Sequence, residues 1–151
     1  MKPRYVLALL ALLAAATTAS AQDSPGLKLS DLKAQGAAQL TRDQLQTLLP
    51  GAKVTSLTPT GSTRNWENSA DGKLFASSDA RGSYNRSGLK RSYSAPGTWH
   101  IGDDASYCVQ LEWKSNTEQW CRFIFKSGEK YFGVKSVADL AATAYEFSFA
   151  R

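Results

Sequence analysis

Hydrophobic and polar residues alternate along most of the chain after residue 52. Between residues 107 and 113, and again between 145 and 149, every second residue is large and apolar. A period of two is typical of a β-strand that buries one face. The pattern predicts strands at residues 52–58, 62–68, 73–79, 88–94, 97–101, 105–114, 118–126, 130–136 and 144–150.

Turn-forming residues separate these segments at intervals of about ten residues, a spacing typical of all-β domains. The predicted turns are Asp71-Gly72, Pro96-Gly97, Gly102-Asp103, Ser115-Asn116 and Ser127-Gly128. Short connections favour antiparallel neighbours. We therefore expect an up-and-down meander of about eight strands that forms a small barrel or a sandwich. Residues 136–143 break the alternation and are predicted as a helical turn.

One short helix is predicted before the strands. Thr41 and Gln44 match the capping box, and Leu40 before the cap and Leu45 in the helix match the hydrophobic staple. Pro50-Gly51 ends the helix. A helix of about eight residues is unstable alone, so we expect it to pack on the β-domain, which would span residues 40–151.

The first 21 residues match a secretory signal peptide. Lys2 and Arg4 precede an apolar run, and small residues follow up to Ala21, where we expect cleavage. The alternative is a membrane anchor, but the run of about 11 strongly apolar residues is shorter than the roughly 20 that span a bilayer. We expect a periplasmic or secreted protein that does not span the membrane, with a flexible mature N-terminus at residues 22–39, where Ser30 could open a short helical turn.

Composition and charge narrow the classes of partner. The chain of 151 residues is 42% hydrophobic and 21% charged, as in ordinary folded domains. Removing the signal peptide takes away two of the 18 basic residues and none of the 13 acidic ones, which leaves a net charge of +3. This charge is too small to indicate nucleic acid as a partner.

Cys108 and Cys121 are predicted to form a disulfide, because exported proteins fold in oxidising compartments. Two unpaired buried cysteines, or a metal or redox role, are the alternatives. Pairing Cys108 with Cys121 conflicts by one residue with placing Val109 and Phe123 on the same face. A β-bulge in one of the two strands would satisfy both demands.

Catalytic chemistry has little support in the sequence. His100 is followed by Asp103 and Asp104, but a histidine on the solvent side of a strand before a polar turn explains the same pattern. The chain has no nucleophile elbow, no zinc pattern and no phosphate-binding glycine loop. We expect no enzyme activity, no metal and no cofactor.

The segment 81–93 combines cations with aromatic rings and contains no acid. Such a mixture suits an anionic ligand, through charge and stacking together; a solvated surface is the alternative. The candidate ligand-binding residues are Arg81, Tyr84, Arg86, Lys90, Arg91, Tyr93 and the nearby Trp99.

Several motifs together resemble a known family. The succession LTRDQLQTLLPG, the Asp71-Gly72 turn, GTWHI, and the YC and WC pairs at Cys108 and Cys121 is similar to a family of small exported proteobacterial proteins known only as a domain of unknown function. The resemblance covers about residues 40–135, and it implies an exported β-protein with a helical lead-in and no particular activity. The GTW at 97–99 resembles the G-x-W of lipocalin first strands, but here it falls in mid-chain.

Two functions are compatible with these features. The first is a non-catalytic exported binding or envelope-associated module, whose partner would be an anionic envelope component or a protein. The alternative is an inhibitor directed at a hydrolase such as a lysozyme or a protease. An internal cavity would favour a small ligand, whereas a projecting rigid loop on a filled core would favour an inhibitor.

Overall fold

The computed structural model describes residues 26–58, 61–84 and 90–151, and the side chains of residues 80–92 are outside this description. The chain forms two short helices, α1 (Leu29–Ala34) and α2 (Arg42–Leu48). Neither of them has the length and apolar character needed to cross a bilayer. The strands are β1 (Ala38–Gln39), β2 (Lys53–Leu57), β3 (Thr63–Asn68), β4 (Lys73–Tyr84), β5 (Lys90–Ile101), β6 (Tyr107–Glu112), β7 (Thr117–Ser127), β8 (Lys130–Val134) and β9 (Ala144–Ala150).

Strands β2 to β9 form a closed antiparallel barrel. Each strand pairs with the next one along the chain, and β9 pairs with β2 to close the ring. The short β1 adds to the edge of β7. The predicted all-β meander is therefore confirmed, and its form is a barrel rather than a sandwich.

Helix α2 covers one end of the barrel. The predicted capping box is present, because Thr41 Oγ1 accepts from Gln44 N at 3.3 Å and Gln44 Oε1 accepts from Thr41 N at 2.8 Å. Leu45 and Leu49 are fully buried against the barrel interior. Arg42 Nη1 also donates to the carbonyl of Gly102 at 2.9 Å, in the loop between β5 and β6. We call this end of the barrel the covered end.

The predicted turn at Pro96-Gly97 is wrong, because both residues lie inside the continuous strand β5. Pro96 pairs with Phe75 of β4, and the pairing of β5 with β6 begins only at Gly97. Proline is tolerated where a strand lacks a neighbour on one side. A Cβ on Gly97 would lie 2.2 Å from the carbonyl oxygen of Gln110. Glycine therefore permits the close approach of β6 at the point where β5 and β6 separate.

The predicted β-bulge between β6 and β7 is also wrong. Cys108 lies opposite Cys121 and Val109 opposite Trp120 in one continuous register, and the predicted disulfide joins the two cysteines. The conflict disappears because Phe125 faces the outside of the barrel, where it is buried in a second apolar cluster. Phe123 packs against the same cluster.

The N-terminal segment contributes Leu29 and Leu32 to this second cluster. The sequence predicts a flexible stretch at residues 22–39, whereas the described part of this stretch is ordered. Residues 22–25 lie outside the described residues, but α1 and β1 are ordered elements, and Leu29 and Leu32 are fully buried against Phe125. Residues 136–143 form bends and turns rather than the predicted helical turn. The carbonyls of Leu140 and Ala142 instead accept hydrogen bonds from the first amides of α1 at 2.9 Å. Burial of Leu29 and Leu32 explains why this polar segment adopts a fixed structure.

Candidate ligand site at the open end of the barrel

Two adjacent cavities lie at the end of the barrel opposite α2, which we call the open end. The larger has a volume of about 560 Å³ and the smaller of about 280 Å³. Arg64 and Glu118 border both cavities. The larger cavity is also lined by Ser78, Tyr93, Ser94, Trp113, Lys114, Ser115 and Asn116. The smaller is also lined by Ser56, Leu57, Thr58, Trp66, Trp120, Arg122, Tyr145 and Phe147.

The larger cavity lies where β5 leaves the barrel. The pairing of β5 with β6 ends at Gly97, so Tyr93 and Ser94 have no strand partner on that side. Tyr93 and Trp113 therefore line a cavity at the place where a continuous sheet would pair β5 with the end of β6. Tyr93 is about half exposed, so this cavity opens to solvent.

An ion pair separates the two cavities. Arg64 of β3 and Glu118 of β7 face inward, and Arg64 Nη1 donates to Glu118 Oε1. The other oxygen, Glu118 Oε2, accepts from Trp113 Nε1 at 3.1 Å, and the Arg64 guanidinium lies 5.2 Å from the centre of the Trp113 ring. The two charged side chains are only 20% and 27% exposed. These contacts fix the carboxylate of Glu118 in position.

Arg122 is the second inward-facing cation of the site. Its guanidinium lies 5.6 Å from the centre of the Trp120 ring and donates to the carbonyl of Cys121 at 2.9 Å. Burial lowers the pKa of Arg122 from its usual value, and the nearby Tyr145 and Glu118 act in the opposite direction. Within the described part of the chain, no carboxylate lies within ion-pair distance of Arg122.

Aromatic rings form the floor of the smaller cavity. Trp66, Trp120 and Phe147 contact one another edge to face, with ring centres 6.1 to 6.4 Å apart. Below them, Trp66 Nε1 donates to Tyr107 Oη at 2.8 Å, and Tyr107 Oη donates to Asn68 Oδ1 at 2.8 Å. Rings that contact each other and share hydrogen bonds hold a rigid floor.

The charged side chains give the site a net positive charge, because the two arginines Arg64 and Arg122 lie beside the single carboxylate of Glu118. A positive site with an aromatic floor suits an anionic ligand with an apolar body.

The structure places the predicted ligand-binding residues in different regions. Tyr93 lines the larger cavity and is about half exposed. The backbones of Arg81, Tyr84, Lys90 and Arg91 lie on the ends of β4 and β5 beyond the open end, but their side chains, and all of Arg86, are outside the described residues.

Trp99 does not belong with Tyr93. It is buried at the covered end, where Trp99 Nε1 donates to the carbonyl of Ser69 at 2.8 Å and the ring contacts Tyr107. Trp99 lies six positions after Tyr93 along the strand, a distance of about 20 Å. We therefore leave Trp99 out of the candidate site.

Sequence reasoning missed the charged residues of the site, although a signal was present. Arg64 is two residues from Trp66, and Glu118 and Arg122 flank Trp120 at the same spacing of two. Residues at this spacing share a face of a strand. Charged residues in phase with tryptophans that face inward therefore indicate a polar site inside the barrel.

The possible catalytic residues lie outside the cavities. His100 is exposed on β5 opposite Cys108, and Asp103 forms an exposed ion pair with Arg42. Asp104 Oδ1 accepts from Ser106 Oγ at 2.6 Å and from Ser106 N at 3.0 Å, and these hydrogen bonds lower the pKa of Asp104. In the described part of the chain, no three His, Cys, Asp or Glu side chains are grouped to hold a metal ion.

Comparison of the chain with protein-family models, with curated proteins and with solved structures finds no match. The family resemblance stated from the sequence therefore stays a prediction.

Proposed function

We propose that the protein is an exported, non-catalytic binding module that takes up a small molecule through the open end of the barrel. The observation that carries the proposal is the pair of adjacent cavities divided by Arg64 and Glu118. Ligand pockets in proteins are typically concave, largely apolar and about 300–1,000 Å³ in volume, with a few placed polar groups. Export to the periplasm or the exterior rests on the sequence of residues 1–21.

Preorganisation supports a binding role. The Cys108–Cys121 bond links two strands whose other faces line the barrel interior. Both oxygens of Glu118 already accept hydrogen bonds, so this carboxylate is held in a fixed position. It is also the only carboxylate among the described residues that line the cavities. A rigid pocket loses little conformational entropy on binding.

The proposal is tested by filling the larger cavity. Ser78 lines this cavity, whereas Ser77, its neighbour on β4, is exposed on the outside of the barrel. Mature wild-type protein and the variants Ser78→Phe and Ser77→Phe are titrated with the fluorescent dye anilinonaphthalene sulfonate, and circular dichroism checks their folding. We expect one dye per wild-type molecule, loss of binding in Ser78→Phe and normal binding in Ser77→Phe. Equal binding by the two variants, or no binding to the wild type, would contradict the proposal.

One observation favours the alternative of a hydrolase inhibitor. β3 pairs with β4 only as far as Ser78, and β6 pairs with β5 only from Gly97. The ends of β4 and β5 therefore form a two-stranded ribbon that projects beyond the barrel, and such a ribbon suits insertion into a cleft. Inhibition of a lysozyme or a protease by wild type and by Ser78→Phe alike would support this alternative.

A further inference from the structure

We infer that the ligand carries a single anionic group, that Arg122 binds this group in the smaller cavity, and that Glu118 excludes ligands with a second negative charge. This inference rests on the proposed function, and it names the chemical class of the ligand: a monoanion, such as a carboxylate or sulfonate, attached to a flat apolar body. The body would extend past Glu118 into the larger cavity, against Trp113.

In the smaller cavity, Arg122 is the cation available to the ligand, whereas Lys114 lines only the larger cavity. Among the described residues, the contacts of Arg122 are one hydrogen bond to the Cys121 carbonyl and the face of Trp120, which leaves most of its five N–H donors for another acceptor. A partly buried guanidinium without a carboxylate within ion-pair distance, in the part of the chain that the structure describes, is costly because burial removes part of its hydration. An anion in the smaller cavity would offset this cost through charge-assisted hydrogen bonds.

Arg64 is less available because Glu118 already neutralises it. The guanidinium donates to Glu118 and lies against Trp113. Its Nε is nevertheless buried without a hydrogen-bond acceptor in the described part of the chain. Removing the charge of Glu118 should therefore release Arg64 as a second cation for the ligand.

Glu118 sets the charge limit. Its carboxylate borders both cavities, so a ligand that occupies both must pass close to it. Like charges repel strongly in a partly buried site, where solvent screening is weak. A ligand with one charge places it at Arg122 and an uncharged part beside Glu118, whereas a second charge on that part of the ligand would be repelled by the carboxylate.

The test compares two dyes that share an apolar skeleton. Anilinonaphthalene sulfonate carries one negative charge, and N-phenylnaphthylamine carries none. Both are titrated into mature wild-type protein, Arg122→Gln, Arg122→Lys, Glu118→Gln and the control Lys126→Gln. Lys126 lies four residues further along β7, beside Tyr131, and lines neither cavity.

We expect Arg122→Gln to weaken binding of the sulfonate at least about tenfold, the size of effect that one charge-assisted hydrogen bond supports. Arg122→Lys should restore part of the loss, and the neutral dye should change less than about twofold. Glu118→Gln should strengthen binding of the sulfonate, because it releases Arg64 as a second cation. Lys126→Gln should behave as the wild type.

Equal loss of both dyes in Arg122→Gln, or weaker sulfonate binding in Glu118→Gln, would overturn the inference. If Ser78→Phe still blocks both dyes in that case, the proposed binding function stands and only the charge assignment fails. If Ser78→Phe blocks neither dye, the proposed function fails together with the inference.

Discussion

The hydrogen bonds beneath the candidate site give a quantitative prediction about stability. Asn68 and Tyr107 are fully buried. Asn68 Oδ1 accepts from Tyr107 Oη at 2.8 Å and from Trp66 Nε1 at 3.1 Å, and Asn68 Nδ2 donates to the carbonyl of Leu49 at 3.2 Å. The network joins the end of α2 to the barrel, so its removal should affect the whole domain.

Two substitutions in this network should differ in cost. In Tyr107→Phe, Trp66 Nε1 keeps Asn68 as its acceptor, so no buried group loses its last partner and the loss is about 1 kcal/mol. In Asn68→Ala, the Leu49 carbonyl keeps its bond from Ala52 N at 3.1 Å, but the Tyr107 hydroxyl loses its acceptor. An unsatisfied buried donor costs about 1–3 kcal/mol, and with the small cavity left behind the total should reach about 3 kcal/mol.

Urea unfolding at neutral pH with the disulfide intact measures both values. A loss for Tyr107→Phe equal to or larger than the loss for Asn68→Ala would refute the reasoning, because the ranking depends only on which polar groups stay paired.

The burial of Tyr107 also predicts how the stabilities of wild type and Tyr107→Phe differ at alkaline pH. Burial raises the pKa of Tyr107 above its usual value near 10. The stability that its neutral form contributes is complete below pH 10 and is lost as the pH rises above 10, because the unfolded chain then releases the proton. The stability gap of about 1 kcal/mol between wild type and Tyr107→Phe should therefore disappear by about pH 11 and then reverse, because the wild type loses about 1.4 kcal/mol per pH unit above pH 10. An unchanged gap would mean that Tyr107 ionises normally in the folded protein.

Three further predictions concern other parts of the fold. Thr41→Ala removes the cap of α2 and should cost about 1 kcal/mol in urea unfolding while the β-type circular dichroism spectrum is retained. Replacing Cys108 and Cys121 by alanine together should cost about 3 kcal/mol, from the entropy of the short loop that the bond closes. Hydrogen bonds from Ser106 hold the pKa of Asp104 below its usual range, so the stability it contributes is present above about pH 4 and is lost as the pH falls through the folded value. Asp104→Asn should therefore be less sensitive to acid in an unfolding series from pH 5 to about pH 2.

Each of these expectations has a contradicting result. Complete unfolding of Thr41→Ala would give α2 a larger role than closing one end of the barrel. Unchanged stability of the double cysteine variant would show that the register of β6 and β7 needs no covalent support. An acid profile of Asp104→Asn identical to that of the wild type would show that the hydrogen bonds from Ser106 persist after protonation.

The sequence predicted those features that depend on neighbouring residues. The capping box of Thr41 and Gln44 involves only one turn of chain, and its hydrogen bonds are present. The alternation between residues 144 and 150 predicts β9 with the bounds that the structure shows. Strand order also followed from the sequence, because short turns leave consecutive antiparallel strands as neighbours.

Only the tertiary structure decided which face of β7 points inward. Alternation allows either the face with Phe123 and Phe125 or the face with Glu118, Trp120 and Arg122 to line the barrel. The choice depends on α1, since Leu29 and Leu32 cover Phe125 on the outside and make its burial there favourable. With Phe125 on the outside, Glu118 and Arg122 face the interior of the barrel and line the cavities.

The candidate site itself could not be located from local patterns. Arg64 and Glu118 are 54 positions apart, and closure of the barrel brings them into contact. Pro96-Gly97 looked like a turn because proline and glycine are common in turns; in the barrel they mark where β5 separates from β6 and the larger cavity opens. The hydrophobic period and the turn residues thus determined the strands and their order. The packing of α1 on Phe125 determined which face of β7 points inward, and the separation of β5 from β6 determined where the larger cavity opens.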